Sequence, residues 1–367
     1  MPWLVNIRHH EAPISRAATP AIRAHEERLL ALWRQHIGPA TESEDGDYED
    51  FYEQAARLDA ALSAFGAENI WLTVSQHREG DARNLGTGET RPISELEHLP
   101  RYGLQASQSH REVDQAQAHL AADYYKYEAF LSRAGRRIVV CGYAPEKEGA
   151  LDLGHVLARF AADGIRKAFL KVNLNKYATF PVDLPEGFAP GDATAALYRA
   201  LDYGATYLEG GTANFQAQEF VTMEYEYRVF VVGNCAVSAA GCIEEFTPLD
   251  NNGYAFDNQL RRNRQDLSPV EVEPAIAGIL TGFARNAIDA LALEVPELTD
   301  YVIDVAMDPS GSPLIVELNP LLNAGLYASQ PGRVTSAMAL DGSPAAVEGL
   351  YQIRSGQPVR PGGISGR

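Results

Sequence analysis

The chain has 367 residues, 46% hydrophobic and 22% charged, the make-up of a water-soluble globular protein with room for two or three domains and a sizeable core. Its formal net charge of −18 at pH 7 argues against a nucleic-acid backbone or an anionic membrane as partner, because both demand a basic footprint. The apolar start MPWLV is too short for a secretory signal, no apolar run reaches the roughly 20 residues of a membrane span, and Cys141, Cys235 and Cys242 lack metal-ligand spacing, so the expected compartment is the cytoplasm.

In chain order, apolar residues at helical spacing (Ile22, Leu29, Leu30, Leu32, Trp33) predict a first helix in AIRAHEERLLALWRQHI. The acidic run 42–50 reads as solvated surface and leads into FYEQAARLDAALSAFG, a second amphipathic helix closed by Gly66. NIWLTV (69–74) reads as a strand, 75–99 as loop, and 114–134 as one long helix carrying Tyr124, Tyr125 and Tyr127. His9 and His10 suggest a metal pair, but adjacent residues of a strand point to opposite faces. From Arg137 the texture changes. RRIVVCGYA is a strand, GHVLARFAADG a helix and KAFLKVN a strand, the alternation of a mixed α/β domain. DATAALYRALDYG is a helix, and 216–246 gives two or three strands with Gly233-Asn234 as a hairpin turn. EPAIAGILTGFARNAIDALAL is a long apolar-faced helix, and the tail after about residue 333 is Gly/Pro-rich and expected to fray.

The segment YVIDVAMDPSGSPLIVELNPLLNAGLY (301–327) carries the most information. Two apolar strands flank an Asp-Pro-Ser-Gly-Ser turn, and Asp304, Glu317 and Asn319 interrupt them. Pairing Met307 with Leu314 across the turn sets Asp304 opposite Glu317, and period two puts Glu317 and Asn319 on one face. Carboxylates that close repel unless a cation lies between them, and hard oxygen donors suit Mg²⁺, which draws its other ligands from water and phosphates. Replacing Asp304 or Glu317 by alanine should then abolish magnesium-dependent binding of the phosphate-bearing ligand and leave the fold intact. Three further features accompany the hairpin. Lys171 sits inside the apolar strand AFLKV, where it must be desolvated or paired. Glu226 and Arg228 share a strand face by period two in EYRVFVV, and Arg261, Arg262 and Arg264 cluster before the long helix.

Together these residues resemble the ATP-grasp superfamily over roughly residues 137–330. The resemblance implies an α+β, ATP-grasp fold: two α+β lobes (136–221 and 222–335) clamping ATP, a mostly helical N-terminal domain with some strand (1–135) on the substrate side, and a C-terminal tail (336–367). It implies that Lys171 contacts the phosphates of ATP, and that Glu219, Phe220 and Val221 read adenine through backbone groups. Glu226 would accept the ribose hydroxyls, and Asp304, Glu317 and Asn319 would hold Mg²⁺. Arg228, with Arg262 standing for an arginine cluster whose spacing does not choose among its members, would take up charge during phosphoryl transfer. There is one departure. The glycine-rich loop that follows the phosphate lysine in the family is here NLNKYATF, without glycine, so either Lys176 substitutes as a side-chain donor or the loop lies elsewhere, near Gly210-Gly211. The implied activity is an ADP-forming carboxylate–amine ligase acting on a small-molecule or peptide substrate through an acyl phosphate. Two alternatives stand beside it: a small-molecule kinase, and a non-catalytic ATP-binding assembly factor, which the missing glycine loop favours.

Overall fold

Capping side chains open the first two helices. Thr19 accepts from the Ile22 N–H at 3.2 Å and begins α1 (Pro20–His36), whose Pro20 occupies a position where a missing N–H costs nothing. Asp47 accepts from the Asp50 N–H at 3.0 Å and begins α2 (Tyr48–Phe65), which ends at Gly66 with a φ of 78°. The structure, a computed structural model, describes residues 1–15, 19–40, 42–43, 46–74, 80–102, 112–143, 152–172, 179–200, 213–241, 246–263, 268–321 and 324–340. Lys176, Gly210-Gly211, Arg264, Cys242 and the tail beyond residue 340 lie outside these residues.

The described chain divides into two compact units. The first takes its described residues from Met1–Ala121, Glu224–Met307 and Ile315–Arg367, the second from Ala122–Met223 and Asp308–Leu314.

In the first unit, β1 (Trp3–Asn6) lies within a five-stranded sheet, while β2 (Ala12–Pro13) and β3 (Glu42–Ser43) form a short parallel pair. The sheet is completed by β4 (Ile70–Thr73), β5 (Asp81–Asn84), β6 (Thr90–Pro92) and β7 (Arg101–Tyr102), in the order β6-β5-β4-β1-β7. β1 runs parallel to β4 and β7, and β5 antiparallel to β4 and β6. The loop expected over 75–99 therefore contains two strands. They escape a periodicity reading because β6 is exposed throughout and β5 buries only Ala82 and Asn84. Trp33 of α1 and Phe51 of α2, with ring centroids 4.7 Å apart, anchor the helices over this sheet with Leu29, Val5 and Leu72. The single helix expected over 114–134 is broken: α3 (Glu112–Ala122) stops, Tyr124–Lys126 turns tightly, and α4 (Glu128–Leu131) follows.

The second unit holds β8 (Ile138–Tyr143), α5 (Leu153–Ala162), β9 (Lys167–Val172), β10 (Thr179–Asp183), α6 (Asp192–Ala200) and β11 (Ala213–Glu219). Its sheet runs β10-β9-β11-β8 with every neighbour antiparallel. Alternation sends Leu170, Phe215, Ala217 and Cys141 into a core with Leu157, Phe160 and Leu197 of the helices. Burial pushes the Cys141 thiol up to about 12, so it packs as an inert apolar group. Lys171 is set directly opposite Gln216 in the strand register, which places both on the other, polar face.

The first unit also contains a second sheet. It is built from β12 (Glu224–Val232), β13 (Cys235–Gly241), β16 (Tyr301–Met307) and β17 (Pro313–Pro320), in the order β13-β12-β16-β17. The turn between β12 and β13 is Gly233-Asn234, with φ of 57° and 60°, the left-handed pair that a tight hairpin requires. The pair β14 (Gln259–Arg261) and β15 (Val270–Val272) stands beside it. Helix α7 (Pro274–Glu294) packs on β12, β13 and β16, and α8 (Pro331–Ala339) packs on α2. Contrary to the sequence reading, α7 is long and apolar enough by length and composition to cross a membrane. It buries Leu280, Ala284, Ala287, Ile288 and Leu291 on one side, as a core helix does. The turn joining β16 to β17 is tied by Asp308, whose Oδ1 accepts from Ser310 N (2.8 Å), Ser310 Oγ (2.6 Å) and Ser312 N (2.9 Å).

Candidate functional site

Antiparallel pairing of β12 and β16 sets Arg228 directly opposite Asp304. Arg228 donates from Nε to Asp304 Oδ1 at 2.9 Å and from Nη2 to Oδ2 at 2.8 Å, a two-pronged ion pair whose side chains are only 8% and 1% exposed. Asn319, on the neighbouring strand, donates from Nδ2 to Asp304 Oδ2 at 3.0 Å and to Glu317 Oε1 at 2.9 Å. Asp304, Glu317 and Asn319 thus meet in one cluster with Asn319 as the bridge, and Arg228 joins them. The guanidinium also lies 4.7 Å over the Tyr327 ring, and its Nη1 makes a long 3.4 Å contact with the Gly325 carbonyl.

Two further residues reach this cluster from α2. Glu53 Oε1 accepts from the backbone N–H groups of Leu326 at 2.7 Å and Tyr327 at 2.9 Å, and Arg57 donates to the Ala324 carbonyl at 2.8 Å. Burial pushes the Glu53 carboxyl above its usual range, against the pull of Arg57, the two backbone donors and Arg228. The sequence reading found no motif in this part of the chain. The available signal was a Glu-Arg pair four residues apart between the buried residues Tyr52, Ala55 and Leu58 of an amphipathic helix.

Among the described residues, no three His, Cys, Asp or Glu side chains gather to hold a metal. A divalent ion here would rest on two carboxylates completed by the Asn319 amide. That donor set suits a hard cation: the amide now turns its nitrogen toward both carboxylates, and rotating it by half a turn offers its oxygen in the same place. Arg228 already neutralises Asp304, so an ion on this set must share that carboxylate with the guanidinium.

Of the remaining candidates in the first unit, Arg262 pairs with Glu224 at 3.2 Å and is 63% exposed. Glu226 lies where the β12–β16 register shifts, between Glu224 and Tyr227, and Tyr225 there has a φ of 53°. This bulge interrupts the alternation from which Glu226 and Arg228 were assigned one face, so period two does not fix the direction of Glu226.

In the second unit, Lys171 Nζ donates to the Tyr124 hydroxyl at 3.1 Å and lies 5.2 Å from that ring. The Tyr124 hydroxyl donates to Gln216 Oε1 at 3.2 Å, Gln218 Nε2 donates to the same oxygen at 3.1 Å, and Arg136 Nε donates to Gln218 Oε1 at 2.9 Å. A connected polar layer therefore covers the sheet face that carries Lys171. At the end of β11 the Glu219 N–H goes to the Arg137 carbonyl at 2.9 Å and the Phe220 N–H to the Lys167 carbonyl at 3.1 Å. Among the described residues the Val221 N–H has no acceptor, so of the three linker amides it is the one available to a ligand.

The chain matches no protein-family model and no curated protein. Among solved structures it is similar to a D-alanine–D-alanine ligase from Bacillus anthracis complexed with ATP, at 11% identity over 98% of this chain and 100% of that one, with a TM-score of 0.40. It is similar to the ATP-grasp ligase PsnB complexed with a minimal precursor, Mg and ADP, at 14% identity over 70% of this chain and 63% of that one, with a TM-score of 0.35. A third is N5-carboxyaminoimidazole synthase from Aspergillus clavatus in complex with ADP and an aminoimidazole ribonucleotide, at 12% identity over 94% and 78% of the two chains, with a TM-score of 0.41. Of these three, PsnB is an ATP-grasp ligase by name, and the other two are a ligase and a synthase crystallised with ATP or ADP.

Proposed function

We propose that the chain is an ADP-forming ligase of the ATP-grasp type, which uses Mg-ATP to activate a carboxylate as an acyl phosphate for attack by an amine. The observation that carries this reading is the meeting of buried Asp304, Asn319 and Arg228 with half-buried Glu317. Two carboxylates, an amide and a guanidinium gathered on adjacent strands otherwise rich in apolar residues are what a site that handles charge requires. Magnesium, when held by Asp304, Glu317 and Asn319, would supply neutralisation of the phosphate oxygens.

The residues of the chain do the rest. Arg228 is held by Nε and Nη2, so its guanidinium is oriented before a phosphoryl group arrives and little reorganisation is needed during transfer. Lys171, placed by the Tyr124 hydroxyl, is the lysine to which the resemblance gives the phosphates. The Val221 N–H serves as donor to the adenine ring, Glu226 serves the ribose, and Arg262, from its exposed position, serves as a further phosphate contact.

The deciding experiment incubates the full chain with Mg-ATP and a library of carboxylates and amines, and measures ADP. A ligase releases ADP only when both partners are present. ADP formed with an alcohol and no amine assigns a kinase instead, and absence of ATP binding by calorimetry rejects the nucleotide reading altogether. The occupation of Asp304 by Arg228 favours a second reading, an ATP-binding assembly factor with little turnover. Its signature is tight Mg-ATP binding, no ADP release with any substrate pair, and one co-purifying protein.

A further inference from the structure

The turn that follows β17 is held from a distant part of the sequence. Glu53 lies 273 residues before Leu326, yet one of its carboxylate oxygens accepts two successive backbone N–H groups, and Arg57 takes the carbonyl of Ala324. One oxygen that accepts from two adjacent amides ties both peptide planes to a single point. Tyr327, inside this turn, has a φ of 46°, a left-handed conformation that a bulky residue adopts only when its surroundings impose it. The conformation has a visible result: it lays the Tyr327 ring 4.7 Å from the Arg228 guanidinium. Gly325 lies beside the same pair: a Cβ there would stand in ordinary contact with that ring at 3.4 Å and with Arg228 Nη1 at 3.6 Å.

We propose that Glu53, assisted by Arg57, is a positioning residue: through the 324–327 turn and the Tyr327 ring it holds Arg228 on Asp304. The connection runs from Glu53 to the Leu326 and Tyr327 amides, then to the ring, the guanidinium, Asp304, and by Asn319 to Glu317. The N-terminal part of the chain thereby acts on the cluster through geometry, without touching a reacting group. The importance of Arg228 rests on the function proposed above, whereas its placement by Glu53 does not, and the test reads placement directly.

The experiment follows the Arg228 Nε–H by NMR in the full chain labelled with ¹⁵N-arginine, the resonance being identified by its loss in Arg228→Lys. In the wild type this proton is hydrogen-bonded to Asp304 and should exchange slowly with water. Glu53→Ala should speed its exchange by roughly tenfold or more, whereas Glu53→Gln, which keeps an acceptor oxygen, should stay within about twofold. Tyr327→Gly tolerates the left-handed backbone and removes only the ring. It should also speed exchange, and Tyr327→Phe should not. Unchanged exchange in Glu53→Ala and Tyr327→Gly, with circular dichroism showing both folded, overturns the proposal. Should Glu53→Ala fail to fold, the contrast between Tyr327→Gly and Tyr327→Phe decides alone. A parallel Mg-ATP titration of the wild type separates the two claims: no binding there removes the ligase reading and leaves the NMR result standing.

Discussion

Asp304→Ala tests the cluster most directly, and its expected cost follows from the geometry. Arg228 loses two hydrogen bonds of 2.9 and 2.8 Å while staying in a site where it is 8% exposed. Stranding one partner of a buried ion pair costs about 3–5 kcal/mol, against about 0–1 kcal/mol for an exposed pair. Stacking on Tyr327 and the contact to the Gly325 carbonyl survive the substitution, which puts the expected loss near the lower end, about 3 kcal/mol. The sequence reading expected the fold to be untouched, and the ion pair revises that: the variant should fold but be plainly weakened. Adding Arg228→Met removes the stranded charge and should restore about 2 kcal/mol, because well-packed apolar groups replace buried ion pairs at little cost. Urea unfolding followed by circular dichroism, run on both single variants and the double variant, gives the coupling. A loss below about 1 kcal/mol in Asp304→Ala, or strictly additive costs, would refute the buried-pair reasoning.

The other expectations are smaller in scale. Glu317 is only half-buried, unlike Asp304, so Glu317→Ala should cost about 1 kcal/mol of stability yet weaken Mn²⁺ binding, read by EPR, roughly tenfold. An unchanged Mn²⁺ affinity would remove Glu317 from the metal set. Val221→Pro deletes the one linker donor without an acceptor and should weaken ATP by roughly five- to tenfold in calorimetry, with Val221→Ala as the silent control. Burial raises the Glu53 pKa above its ordinary 4.5, so the folded state holds that proton more tightly than the unfolded chain. The stabilisation is complete below 4.5 and is lost as pH rises through the folded value. Glu53→Gln should flatten this decline in chemical denaturation. Asp250 and Asp257, also raised by burial, preserve part of the slope, and a slope as steep as wild type would contradict the assignment.

What was legible in the sequence was what local pattern encodes. Asp304, Glu317 and Asn319 stood out because each breaks an apolar strand within a single hairpin, and Gly233-Asn234 announced its turn by residue type. Lys171 was visible for the same reason, but its partner Tyr124 was hidden in a segment read as continuous helix. The pairing of Arg228 with Asp304 depends on a register between strands 76 residues apart, which no local pattern specifies. The direction of Glu226 was not legible, because alternation does not carry through a bulge and bulges leave no periodic trace. Glu53 and Arg57 were invisible as site residues because an amphipathic helix tolerates a polar pair at its margin, and only tertiary packing shows what that pair grips.

The Asp308 turn bears on how the cluster is assembled during folding. With three donors converging on one carboxylate oxygen inside five residues, the turn needs almost no loop closure to form, and β16 and β17 can zip from it before distant strands arrive. Asp304, Glu317 and Asn319 should then arrive as a preassembled set, to which β12 brings Arg228 late. A substitution at Asp308 should accordingly slow refolding more than it speeds unfolding, which would mark this hairpin as part of the nucleus.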